Sequence, residues 1–147
     1  MTAIHIAIGV ALIAVNLAAG AWGVWRWWRQ EATAPGFWPL LRTGQALVMV
    51  AAVDGAILLV MGRDLPELHL IYGLVPLGVS FIAEQLRLAA ADTVLTQRGL
   101  EGRADVEKLP EPEQRELVRT IVHREMGVMA ASALVVAVLG LRAAELF

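Results

Sequence analysis

A chain of 147 residues that is 58% hydrophobic and only 18% charged carries less charge than a soluble domain, where about a quarter of residues are charged. The charges are also uneven. Long stretches have none while residues 101–125 are crowded with them, the distribution of a multi-pass membrane protein. A net charge of −2 offers nucleic acid no electrostatic footing, and the absence of cysteine excludes disulfides, thiol redox chemistry and thiolate-held metals.

A membrane span needs roughly 20 largely apolar residues. The first predicted element covers about residues 3–25. It has no basic stretch ahead of it and outruns the apolar core of a signal peptide, so it is expected to be a retained helix. Ala34-Pro35-Gly36 breaks the chain before the second span, about 37–61. Gly62-Arg63-Asp64-Leu65-Pro66 reads as a tight hairpin leading into the third, about 68–91. A polar loop, 92–119, follows. Within it, Leu109-Pro110-Glu111-Pro112 opens a helix with acidic residues in its first turn, which continues into the fourth span, about 120–141. Uninterrupted apolarity without alternation selects helices over a barrel.

Basic residues set the orientation. Arg26, Arg29, Arg42, Arg87, Arg98, Arg103, Lys108, Arg115, Arg119 and Arg124 fall on one side, and only Arg63 and Arg142 on the other. Ten against two places the 92–119 loop in the cytoplasm and both termini outside. Trp22, Trp25, Trp27, Trp28 and Trp38 gather at the cytoplasmic end of the first two spans as an interfacial belt. The expected fold is all-α: a single domain, 1–147, forming an integral membrane antiparallel four-helix bundle in the cell membrane. Short loops place the first and third spans on a diagonal.

Those two spans begin alike. His5 is followed by Gly9 and Asn16, His69 by Gly73 and Ser80, at the same offsets. Aligned without gaps, residues 5–20 and 69–84 share four of sixteen positions. Both spans run outside to inside, so the chain is compatible with two parallel hairpin repeats about an axis along the membrane normal. Chance likeness of apolar helices is the competing explanation. In either case His5, Gly9, Leu12, Asn16, Gly20 and Gly23 share one face of the first helix. His69, Tyr72, Gly73, Pro76, Ser80, Glu84 and Arg87 share one face of the third. Small and polar residues favour helix interfaces in lipid, so both faces are expected to look inward. Glu84 should then meet Arg42, Gln45 and Arg87 as an ion-pair network. Asp54, about two turns from the outer end of the second span, needs a partner. His5, His69 and Tyr72 lie nearest in depth. His123 is expected to be a solvated residue at the cytoplasmic end.

Three functional classes are compatible with these residues. Two imidazoles at equal depth on diagonal helices can serve as axial ligands of a b-type haem, with His5 and His69 as the metal ligands. Gly9 and Gly73, one turn below, would make room for the macrocycle. Tyr72 and Asp54 would complete the site, Asp54 by fixing an imidazole tautomer. A scaffold or accessory subunit would instead use both histidines as interfacial residues and dock a cytoplasmic or membrane protein partner through the 92–119 loop. A lipid-phase enzyme or small transporter would use Asp54, His69 and Tyr72 for acid–base chemistry, although no nucleophile or phosphate loop accompanies them. A homo-oligomer is compatible with all three.

Leu68-His69-Leu70-Ile71-Tyr72-Gly73 and Phe81-Ile82-Ala83-Glu84-Gln85-Leu86-Arg87 resemble stretches of small four-span integral membrane proteins of unassigned function from high-GC bacteria. That resemblance implies the four-span architecture over nearly the whole chain and no activity. The scheme of two histidines in a four-helix membrane bundle is also similar to the b-type cytochromes, as an analogy of architecture.

Overall fold

The computed structural model describes residues 3–31, 35–63 and 66–145. Among them it has five helices and no strand: α1 (Ala3–Trp28), α2 (Phe37–Val60), α3 (Glu67–Gln97), α4 (Arg103–Val106) and α5 (Glu111–Ala144). All but α4 are long and apolar enough to cross a membrane. Each covers a predicted span and most overrun it. Hydropathy marks where lipid would end, whereas the helix ends where its hydrogen bonds do. Thus α3 continues past residue 91 through Asp92-Thr93-Val94 to Gln97 before Gly99 turns it, at a φ of 67° that suits glycine. The helix opened by Pro110 and Glu111 does run unbroken into the fourth apolar stretch. Of the two predicted turns, Ala34, Asp64 and Leu65 lie outside the described residues. Gly62 supplies the left-handed residue after α2, with φ 75°.

The packing is lopsided. α5 lies along both α1 and α3, and α1 lies along α2, whereas α2 and α3 touch only lightly. α1 and α3 share no extensive interface, which fits the expected diagonal. Glycines set the close seams. A methyl at Gly20 would strike Leu134, one at Gly140 would strike Ile13, and one at Gly44 would strike Asn16. Asn16, 1% exposed, donates from Nδ2 to the Leu12 carbonyl at 2.9 Å and to the Gly44 carbonyl at 3.3 Å. Its partners are therefore its own helix and the neighbouring α2. A side-chain amide buried this deeply is satisfied by backbone oxygen because a close glycine exposes that oxygen.

Two apolar clusters fill the bundle. One, around Ala19, Phe37, Leu41, Met126, Met129 and Ala130, occupies the Trp-bearing half. The other, Leu12, Val48 and Val136, sits near the middle. Beyond it, towards His5 and His69, the filling stops.

At the Trp-bearing end the expected ionic set assembles. Arg42 and Arg87 both pair with Glu84, the latter at 2.9 Å, and the Gln45 amide donates to Glu84 at 2.9 Å. Arg87 also reaches Glu125 of α5 at 3.6 Å. The exposed rings of Trp22, Trp25 and Trp28 are consistent with the belt reading. Trp27 behaves differently. Its ring stacks on His123 of α5 at 5.5 Å and 15°, lying where Gly127 has no side chain. His123 is therefore half-buried against an indole that is itself 42% exposed, partly covered where its charged neighbours suggested full solvation.

Candidate functional site: a paired-imidazole cavity

His5 lies in the first turns of α1 and His69 in the first turn of α3. Because the two helices sit on a diagonal, side chains on their inward faces can meet only across the middle of the bundle. The two rings do so, with centroids 5.8 Å apart and planes inclined by 59°. The matched depth inferred from the repeated His-x3-Gly pattern is thus realised as contact.

Each ring is held from behind through Nδ1. Asp54 Oδ2 lies 2.7 Å from His5 Nδ1. Of the three partners expected for Asp54, His5 takes it. The pairing satisfies a carboxylate, 24% exposed, that would be costly alone. The Nδ1 of His69 instead lies 3.2 Å from the Ala143 carbonyl oxygen. Ala143 is in the last turn of α5, where carbonyls run out of intrahelical donors. No sequence pattern announces such a backbone partner, since every residue carries a carbonyl. With Nδ1 engaged as donor, Nε2 becomes the basic nitrogen of each imidazole. Tyr72 lines the cavity wall, and Arg142 of α5 pairs with Glu145 at 3.0 Å.

The rings border a cavity of about 300 Å³. Its walls come from all four long helices, and most of its lining is aliphatic, including Leu12, Ile13, Ala52, Leu59 and Leu74. Four glycines line it as well, Gly140 of the α1–α5 seam among them. A methyl at Gly9 or Gly73 would meet nothing within 4 Å, and one at Gly55 would meet only His5 Cε1 at 3.8 Å. These are the glycines whose missing side chains make empty space, in contrast to those that close the seams. Pro76, buried in the same wall, has no N–H, so the carbonyl of Tyr72 loses its helical donor at this level.

Protein interiors are normally filled to crystal density, so a space of this size beside two oriented imidazoles is a site by the usual criteria of concavity and convergent polar groups. Among the described residues no three His, Cys, Asp or Glu side chains gather as a metal-ion ligand set. A bare divalent cation, which ordinarily takes three or more protein donors, is therefore poorly served. No protein-family model, no curated protein and no solved structure matches the chain.

Proposed function

We propose that the chain is a multi-pass protein of the cell membrane that holds a b-type haem between His5 and His69. The four long helices cross antiparallel, with both termini outside. Three features support the membrane setting. The long helices leave much of their apolar surface outside the bundle, with Val10, Val53, Ile71, Leu74, Phe81 and Val138 all exposed. Basic residues crowd one end, ten against two. The tryptophans sit at that same end.

The single observation that carries the cofactor reading is the imidazole pair 5.8 Å apart with each Nδ1 already engaged. Two imidazoles alone cannot complete the shell of a bare ion. A macrocycle that brings four equatorial nitrogens needs only two axial ones. Metal–nitrogen bonds of about 2.1 Å with ring radii of about 1.1 Å would set two imidazole centroids held on one metal about 6.4 Å apart, near the 5.8 Å between His5 and His69. The open positions of Gly9 and Gly73 suit a flat ring edge. Asp54 and the Ala143 carbonyl would fix the ligating tautomers, the usual duty of groups behind metal-bound histidines. When bound, the group supplies one-electron transfer. The chain orients its ligands and keeps water from its faces.

The test is spectroscopic. Protein purified from haem-replete cells, or titrated with haemin in detergent, is expected to show a Soret band with the sharp visible bands of six-coordinate haem. His5→Ala and His69→Ala should each weaken binding and lose the six-coordinate signature. A wild-type protein that stays colourless with added haem sinks the reading.

The scaffold reading draws less support. The charges between α3 and α5 are largely spent locally, in Arg98–Glu116, Arg103–Glu107, Lys108–Asp105 and Arg115–Glu111 pairs. A co-purifying partner lost when residues 92–119 are replaced would favour it.

A further inference from the structure

We infer that the cavity is filled from the lipid phase: its ligand is a planar, membrane-soluble ring system that enters sideways, through the seam between α2 and α3. The identity of the ring as haem rests on the reading above; the route does not.

The seams of the bundle are unequal, and their glycines record it. Gly20 and Gly140 let α1 and α5 touch side chain to backbone, and Gly44 does the same for α1 and α2. α3 and α5 pack along their lengths. The α2–α3 seam has no such contact. The two helices meet over little of their length, and a methyl at Gly73 of α3 would meet nothing within 4 Å. Lining the cavity from these two helices are Ala56 and Leu59 of α2 and Leu70 and Leu74 of α3. Of these, Ala56, Leu59 and Leu74 are exposed. Leu74 lies about two turns inside α3, and at that depth an exposed leucine faces acyl chain. Water would have to pass an aliphatic wall with almost no polar group outside the His pair and Tyr72. An apolar ring meets no such barrier, and small residues on the α2 side leave it clearance. The imidazoles sit at the far end of that path, where they can bond the ring after it has entered.

The chain contains no cysteine, so introduced thiols report cleanly. Ala56→Cys with Leu70→Cys places one thiol on each side of the seam. Bridging them with a short flexible bismaleimide, in protein reconstituted into lipid nanodiscs, should slow uptake of vesicle-delivered haemin at least tenfold. The comparison is the same protein treated with a monofunctional maleimide. Haem loaded before bridging should leave at least tenfold more slowly. Unchanged uptake after bridging overturns the route while leaving the cofactor reading intact.

If the wild type takes up no haem, the cofactor reading fails and the route is read with a second probe. A single Gly73→Cys should react with a lipid-soluble maleimide and resist a charged, membrane-impermeant one added from either side. Ready labelling by the charged reagent overturns lateral access whatever the ligand.

Discussion

Replacing Gly23 by alanine measures how tightly the Trp-bearing half is packed. A methyl at this position would stand 2.6 Å from the Ala130 Cβ of α5 and nearer still to the Phe37 ring. Carbon atoms rest at about 3.5–4.0 Å, so roughly 1 Å must be found. The Ala130 Cβ is fixed to its backbone and has no rotamer to give, and Phe37 is 0% exposed. α1 must therefore move away from α5. A gap of about 0.5–1 Å forfeits a quarter to a half of each facing contact, and in lipid such contacts are the main attraction between helices. Alanine recovers at most about 1 kcal/mol of helix propensity over glycine, whereas overpacking costs about 1–3 kcal/mol. The expected net loss is about 1–2 kcal/mol. It would be read as the midpoint of reversible unfolding in mixed micelles of rising SDS fraction, followed by circular dichroism. Gly78→Ala, where a methyl meets nothing within 4 Å, should be neutral or slightly stabilising. Adding Ala130→Gly to Gly23→Ala should restore part of the loss. A Gly23→Ala protein as stable as the wild type would show that the seam has slack the packing does not reveal.

Three further outcomes are expected. In haem-loaded protein Asp54→Ala should weaken binding by about 10–100-fold, as loss of a group behind a ligating histidine typically does, with equal affinity by haemin titration counting against the tautomer role. Asn16→Ala removes two hydrogen bonds to backbone oxygen and leaves a small void between α1 and α2. A loss of about 1–2 kcal/mol in the same unfolding assay is expected, and no loss would mean the amide bonds are replaceable. In the segment between α3 and α5, the Lys108 ammonium and then the Glu101 amide hold the Asp105 carboxyl below its ordinary value. A carboxyl depressed in the folded state stabilises that state above its unfolded pKa and ceases to as pH falls through the lowered value. Amide protection around residues 101–108 should therefore be present at neutral pH and fade below the ordinary carboxylate range. Asp105→Asn should lack it at neutral pH already.

Much of this architecture was legible because a long apolar helix has a simple code. Length and uninterrupted apolarity located the four long helices, and small or polar residues at helical spacing located the inward faces. His5 with His69, His5 with Asp54, and Glu84 with Arg42, Gln45 and Arg87 could be brought together by depth alone, because neighbouring helices limit a side chain to partners at its own level. What depth could not supply was the partner made of backbone. Asn16 on the Gly44 carbonyl and His69 on the Ala143 carbonyl depend on how closely two helices approach and where one ends. The glycines were similarly ambiguous: Gly9 and Gly20 look alike in sequence, yet one lines an empty space and the other a contact. The Trp27–His123 stack was missed because charged neighbours made His123 look solvated, while the notch at Gly127 that admits the indole is visible only in three dimensions.

The central position of α5 has a consequence for biogenesis. It is the last of the four long helices to leave the ribosome, yet it joins α1 to α3. Until it is inserted, α1 and α2 can pair but α3 has only a slight hold on either. In the membrane setting proposed above, the third helix would wait with only that slight hold, its Arg87 still without Glu125. A chain stalled before residue 111 should expose the marks that quality-control proteases read. The completed chain gains the main partner of α3, the Arg87–Glu125 contact and the wall behind His69 in a single step.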